Sequence, residues 1–363
     1  MIRNRLSFVS LVLACCACGG VPQPPADGSS DSALADRVGM DGSIEVDATV
    51  PVDVPGLRDA VPELVPVDAP SYQYTVSIGP IRLTPTQEGT WCILRRLPNP
   101  NPQYLRRTRI HLGPASHHLI FYASPATVER TTPFPCRGFS GVRSLTNFET
   151  PLAIAQQTDT TVSMPDSPPI GMGLGAMQMV RLEFHAINTT AAPMDAMGTV
   201  TVDTTDRTPA ITRGDIMFWG NTRLSLPARS RTRVDFFALP LSGSRIFALT
   251  SHTHQLGTLA TISVAMQGPT PDPTMVTDLR EVHRSINWAE PPLTQLDPPL
   301  LLPSAQGLHL VCNYNNTTSA TVTFGEDFNQ EMCFMWGYYW PGRGTHFCVD
   351  DTGVTICVPL MGT

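Results

Sequence analysis

Five histidines and one methionine are the side chains of this sequence best suited to chemistry. They fall at His117-His118, His185, His252-Thr253-His254 and Met332. The chain has nine histidines, so more than half of its imidazoles occupy these positions. They divide into a three-imidazole set in the first half and a two-imidazole plus thioether set in the second. Imidazole suits copper, zinc and iron, whereas a thioether is a soft ligand that selects copper, above all Cu(I). The combination points to a redox copper protein with two sites.

Each motif implies a local geometry. On a strand, residues i and i+2 share a face, so His252 and His254 could reach one metal. Adjacent His117 and His118 point to opposite faces of a regular strand and could share a metal only at a strand end, a bulge or a bend. Gly113-Pro114-Ala115-Ser116 supplies such an irregularity just before them. His185 lies in a strand-like run from Met179 to Asn188, where a lone histidine is more often a hydrogen-bonded core residue. Met332 is one of 14 methionines, most of them ordinary core filler, but it precedes Cys333, which could pin it to another strand. His111, His283, His309 and His346 fit no constellation and read as structural or surface residues.

Several function classes are excluded. All 24 basic residues are arginine, which removes the P-loop lysine, the Schiff-base lysine and the lysine general base. The formal charge of −7 provides no basic footprint for nucleic acid. Zinc hydrolysis lacks a carboxylate base paired to the histidines, and Met332 would be a poor zinc ligand.

Short runs rich in β-branched and aromatic residues alternate with turn residues from Tyr72 onward, as in Tyr72–Ile78, Arg109–Leu112, Leu119–Tyr122, Met179–Ile187 and Gly198–Val202. A second series follows in Ile216–Trp219, Thr232–Phe237, Arg245–Leu249, Thr258–Met266, Gly307–Tyr314 and Ala320–Phe324. No helix-period segment of useful length appears. The pattern predicts an all-β protein of tandem antiparallel jelly-roll β-sandwich domains. The polar stretch Thr205–Thr212 divides the two series and sets domains of 72–207 and 208–363.

The N-terminus reads as an export signal over residues 1–14. Arg3 and Arg5 precede an apolar run too short to span a bilayer. Val12-Leu13-Ala14-Cys15 resembles a bacterial lipobox, which implies lipidation of Cys15 and anchoring at the bacterial cell envelope, at the outer membrane, without a transmembrane helix. Residues 15–71 read as a disordered tether rich in Pro and Asp. Between 21 and 70, ten acidic residues stand against two arginines, a local charge of −8 that accounts for essentially all of the net charge. Beyond the signal, Cys92, Cys136, Cys312, Cys333, Cys348 and Cys357 form an even set in an exported chain, which reads as disulfides. Six cysteines allow 15 connectivities. Pairing within each expected domain favours 92–136, 312–333 and 348–357.

Taken in order, these motifs resemble the copper type II, ascorbate-dependent monooxygenases, the family of the peptidylglycine α-hydroxylating and dopamine β-monooxygenases. The matching stretches are Glu88-Gly-Thr-Trp-Cys92, Ser116-His-His118, Leu182-Glu-Phe-His185 with Asn188, Ser251-His-Thr-His-Gln-Leu-Gly257, Cys312-Asn-Tyr-Asn315 and Gln330-Glu-Met-Cys333 running on to Tyr338-Tyr339-Trp-Pro341. The resemblance implies two jelly rolls facing each other across a solvent-filled cleft. His117, His118 and His185 would hold an electron-transfer copper. His252, His254 and Met332 would hold the catalytic copper, where O2 and a substrate C–H bond react, with ascorbate as one-electron reductant. It also supports the Cys312–Cys333 pairing.

The peptide-amidating members place an arginine two residues before HxH, and an asparagine and a tyrosine two and four residues after the methionine, to hold a peptide carboxylate. Here those positions are Thr250, Phe334 and Trp336. A site without a cation cannot neutralise a buried carboxylate, so the expected substrate is small and apolar or aromatic rather than a glycine-extended peptide. An arginine at Thr250 would then leave copper binding intact. The alternative is a non-catalytic copper-handling surface lipoprotein that kept the ligands.

Overall fold

The structure is a computed structural model that describes residues 71–139, 148–270, 272–303, 305–350 and 355–360. The export signal, Cys15 and the tether through residue 70 lie outside the described residues. Strands dominate, and among the described residues no α-helix occurs and no helix is long and apolar enough to cross a membrane.

In the first half, alternation builds an outer sheet. Strand Ser71–Leu83 pairs antiparallel with Met194–Asp206, which pairs with Gln103–Leu112. Asp159–Ser163 and Ile170–Leu174 continue the sheet beside Gln103–Leu112. Val76, Ile78, Val200 and Val202 point inward, while hydroxyl pairs Thr75–Thr201 and Ser77–Thr199 bridge the solvent face. A second sheet runs Arg130–Pro135, Glu88–Arg96, Met179–Ile187, Ser116–Ala123 and Thr150–Ala155. Here the period-two pattern fails: Met179–Ile187 is buried at eight of nine positions. Such a strand has apolar or shielded neighbours on both faces. Leu119 and Phe184 pack toward the outer sheet at Gly198, so His118 and His185, one residue away on each strand, lie on the opposite face.

The second half repeats the logic. Ser230–Ala238, Gln306–Asn316, Gly257–Met266 and Thr277–Ser285 form one sheet. Thr294–Leu301, Arg245–His252, Cys333–Trp340, Asp215–Asn221, Thr345–Asp350 and Thr355–Leu360 form the other. Cys333–Trp340 is buried at all eight positions. Cys333, Met335 and Tyr339 belong to the core of their own half, whereas Phe334, Trp336, Tyr338 and Trp340 join the apolar cluster of the first half. Asp215–Asn221 divides the same way, with Met217 and Trp219 inward and Ile216 and Phe218 toward the other half. Burying one large apolar side chain stabilises by roughly 1.5–3 kcal/mol, so this shared cluster holds the halves together. Residues 69–363 accordingly form one compact unit.

The strand runs expected from sequence all lie within or overlap observed strands. Those missed include Thr150–Ala155, Cys333–Trp340 and Thr294–Leu301, whose Pro, Gly or continuous apolar content hides the alternation. Disulfides join Cys92 to Cys136, Cys312 to Cys333 and Cys348 to Cys357, the pairing favoured by sequence. Cys312–Cys333 ties the two sheets of the second half to each other, and Cys348–Cys357 crosses a hairpin.

His309 lies on the four-stranded sheet between Asp235 (Nε2–Oδ1 3.0 Å) and Asp278 (Nδ1–Oδ1 2.8 Å), with Arg233 on Asp235. Burial opposes the imidazolium, but both carboxylates outweigh it and raise the pKa above 6.5. A raised histidine pKa contributes stability that is complete below the ordinary value and disappears as pH rises through the folded value. Urea denaturation from pH 6 upward should therefore show the wild type losing on the order of 1 kcal/mol relative to His309→Gln. Parallel curves for the two proteins would rule out this coupling.

Candidate metal centre

The strand Ser116–Ala123 carries both adjacent histidines. Its register against Met179–Ile187 shifts between Ser116 and His118, and Ala115 just before it has φ 59°. The irregularity expected from Gly113-Pro114-Ala115-Ser116 is thus a bulge, and it turns both imidazoles to one side. His118 lies directly opposite His185 across the strand pair, and their ring centroids are 4.9 Å apart. The His117, His118 and His185 ligand atoms lie within 4.8 Å of one another.

His252 ends the strand Arg245–His252, and His254 follows it in the turn before Gly257. The two rings are 5.1 Å apart and nearly perpendicular. Glu331 builds this turn. Its buried carboxylate accepts from the His254 N–H at 2.8 Å and the Leu256 N–H at 2.7 Å, and more distantly from the Met332 N–H. Burial pushes the Glu331 carboxyl up to about 7 against the pull of those three donors. The same side chain therefore fixes the histidine turn and the start of the methionine strand.

The two sets meet. His117 is 5.9 Å from His252 and 6.2 Å from His254 by ring centroid, and His118 is 5.5 Å from His252. His117, His252 and His254 also bring their ligand atoms within 4.8 Å of one another. All five rings are buried, none more than 7% exposed. The structure shows one closed cluster where the resemblance implied a solvent-filled cleft. The physical reason is the shared apolar contact around it: Phe139 stacks on His118 and on Trp336, and Trp336 stands edge-on to His252. At the rim, Trp288 lies 5.7 Å from His117 and 5.6 Å from Phe328.

The electrostatics suit metal ligation. Burial, reinforced by the neighbouring imidazoles, holds His117, His118 and His252 well below the ordinary histidine pKa. Burial brings His254 to about 4. These four rings are therefore neutral at pH 7, the ligating form. His252 Nδ1 faces Gln156 Oε1, and His254 Nδ1 faces the Gln330 carbonyl at 2.9 Å. A carbonyl oxygen only accepts, so both Nδ1 atoms carry the proton and each Nε2 offers a lone pair. Those Nε2 atoms, with His117 Nε2 and both nitrogens of His118, are buried without a partner. A buried unpaired polar atom costs roughly 1–3 kcal/mol, and several converging in one place fit a bound metal cation. His185 instead bonds through Nε2 to Glu88 at 2.9 Å. Burial raises the Glu88 carboxyl, but His185 and the Phe328 N–H outweigh it and leave its pKa lowered.

Met332 is 2% exposed within the apolar cluster that the halves share, and its carbonyl accepts from Tyr314 Oη. The substrate positions expected from sequence, Thr250, Phe334 and Trp336, are all buried. Thr250 is buried and its Oγ1 accepts from Gln156 Nε2 at 3.2 Å. Phe334 stacks on Phe218 at 4.8 Å, and Trp336 lies 5.0 Å from Phe218. Thr250 meets Gln156 and Trp336 meets Phe139 of the first half, and Phe334 lies in the apolar cluster that the halves share. Sequence reasoning also missed Gln156, Glu88, Glu331 and Trp288. For Glu331 a signal existed in its place beside Met332; Gln156 gave none. The set of His346, Cys348 and Cys357 is close enough for a metal, but its sulfurs are joined in a disulfide.

Two outcomes follow from this geometry. Glu331→Ala takes the acceptor from the His254, Leu256 and Met332 N–H groups and should lower the unfolding free energy by about 2–4 kcal/mol in urea titrations; a change below about 0.5 kcal/mol would show that the carboxylate does not hold the turn. Thr250→Arg, expected from sequence to leave copper binding intact, would force an unpaired cation into a closed contact. Thermal melts of the metal-free protein should show a loss of roughly 3 kcal/mol or more, and an unchanged melt would contradict the packing.

Residues 229–357 match the family model described as copper type II ascorbate-dependent monooxygenase, C-terminal domain. No curated protein matches the chain by sequence. Solved structures similar to it include the major capsid protein P2 from bacteriophage PM2, at 8% identity and TM-score 0.30, over 74% of this chain and 97% of that one. The STIV MCP is 11% identical with TM-score 0.34, over 75% of this chain and 97% of that one. At those TM-scores the likenesses bear no weight. The matched segment contains His252, His254, Glu331 and Met332, and it is similar to the C-terminal domain of the copper type II ascorbate-dependent monooxygenases.

Proposed function

We propose that the protein is a dicopper monooxygenase that hydroxylates a C–H bond of a small organic substrate, using O2 and a one-electron donor such as ascorbate. The carrying observation is the set of buried, neutral imidazoles from both halves whose free nitrogens converge, together with the family match over 229–357. His117, His118 and His185 would hold one copper, and His252, His254 and Met332 the other. Bound copper would supply the one-electron redox chemistry that O2 reduction and C–H hydroxylation require.

The chain's own residues prepare the site. Burial keeps His117, His118, His252 and His254 unprotonated. Gln156 and the Gln330 carbonyl fix the Nδ1–H form of His252 and His254, and Glu88 orients His185. Phe139 and Trp336 keep water from the rings. A pocket of about 430 Å³ beside His185, walled by Glu88, Thr90, Trp91, Arg137, Glu326 and Asp327, supports an approach for a small molecule from solvent. Lipidation at Cys15 would hold the enzyme at a membrane surface in the cell envelope, with the residues from 15 to 70 as tether.

Closure of the cluster favours a second reading, in which the chain binds or carries copper without turnover. Copper stoichiometry of the full chain, in detergent, tests the ligand set common to both. We expect two coppers per chain, with one lost in His118→Ala and one in Met332→Ala. His118 is the better probe of the first set because His117 reaches both. Zero or one copper, unchanged by either substitution, would overturn the assignment. Consumption of O2 with donor and substrate separates enzyme from carrier.

A further inference from the structure

We propose that Gln156, a residue of the first half, is the positioning residue for His252 of the second, so that His252 is a competent ligand only while the halves are closed. The inference deepens the proposed function and rests on its assignment of His252 as a ligand.

Gln156 directly follows the strand Thr150–Ala155 and is 5% exposed. Its amide spans the contact between the halves. Nε2 donates to Thr250 Oγ1 at 3.2 Å and to the Ser251 carbonyl at 3.0 Å, and Oε1 accepts from His252 Nδ1. The amide's orientation follows from its partners. The Ser251 carbonyl can only accept, so the NH2 group must face it, and the oxygen is left for the ring. That oxygen in turn requires the proton on His252 Nδ1 and leaves the lone pair on Nε2, which is buried without a partner.

The two imidazoles of the second set differ in this respect. His254 Nδ1 is fixed by the Gln330 carbonyl, from its own half. The segment before His252 is steadied locally as well, since Ser251 Oγ meets His283 Nε2 at 2.9 Å and His283 Nδ1 meets Thr294 Oγ1 at 2.8 Å. Only the ring of His252 takes its partner from the other half. Separating the halves would leave His254 fixed and His252 free to rotate and to exchange tautomers. Closure and metal affinity at this set are then linked, each favouring the other by the same factor. Thr250, which stands where the amidating members carry their carboxylate-binding arginine, serves here as the second grip of the same amide.

The test uses the full chain, first without metal. Long-range ¹⁵N correlations of the histidine rings should show His252 as the Nδ1–H tautomer in the wild type. They should show a mixture or the Nε2–H form in Gln156→Met, which keeps the volume, and Nδ1–H again in Gln156→Glu, which keeps the acceptor. Copper is then added against a competing chelator. Gln156→Met should weaken the second set roughly 10–100-fold and leave the first unchanged, with Gln156→Glu close to wild type. Retention of the Nδ1–H form and full affinity in Gln156→Met would overturn the proposal. So would a loss in Gln156→Glu equal to that in Gln156→Met. If the wild type takes up no copper, the ligand assignment fails, and the tautomer measurement alone decides whether Gln156 sets the ring.

Discussion

The structure depends on one contact: the sheet face made by Phe218, Phe334, Trp336, Tyr338 and Trp340 lies against the histidine-bearing sheet of the first half. It removes the outer face of Cys333–Trp340 from water. It also removes five imidazoles from water, because they sit at its edge. The consequences for the site follow from that desolvation. The neutral rings of His117, His118, His252 and His254, their orphaned lone pairs and a short inter-half hydrogen-bond network exist only because the surrounding aromatic surface closes over them.

Apolar burial favours closure and polar burial opposes it. Phe139 stacks on Trp336 and Phe218 on Phe334, with Phe218 tilted against Phe139 and Trp336, and such aromatic pairs add about 0.5–1.5 kcal/mol beyond their area. Against this stand the unpaired nitrogens of His117, His118, His252 and His254. A metal bound at those atoms would remove the opposing cost, so the same rings that weaken the closed protein without metal would strengthen it with metal. Glu331 adds a second tension. It is a buried carboxylate held by three backbone donors, kept because it orders the turn that aims His254.

Much of this was legible in the sequence. The β-rich, helix-free pattern followed from β-branched runs and turn residues, and the strand series was read in nearly the right places. His117-His118 and the Gly113–Ser116 irregularity together foretold the bulge. The disulfide pairing followed from keeping partners within a half. Less was legible where a strand is buried on both faces. Cys333–Trp340 and Thr150–Ala155 show no alternation to detect, because the second face is covered by a part of the chain far away in sequence. Phe334 and Trp336 were read as substrate contacts for the same reason. Their type signals an apolar neighbour but not which one.

The sequence by itself determined the candidate ligand types, their order and their grouping into two motif sets, because these are properties of side chains and local spacing. It determined the strand character of the segments that carry them as well. Tertiary structure alone decided that the sets meet in one cluster, that His117 reaches both, and that Gln156 faces His252 across 96 residues of chain. Those facts arise from packing two sheet faces whose shapes no local pattern encodes. The physical reason is range: hydrogen-bonded strand geometry repeats over two residues, whereas desolvation is set by whatever surface arrives from elsewhere in the chain.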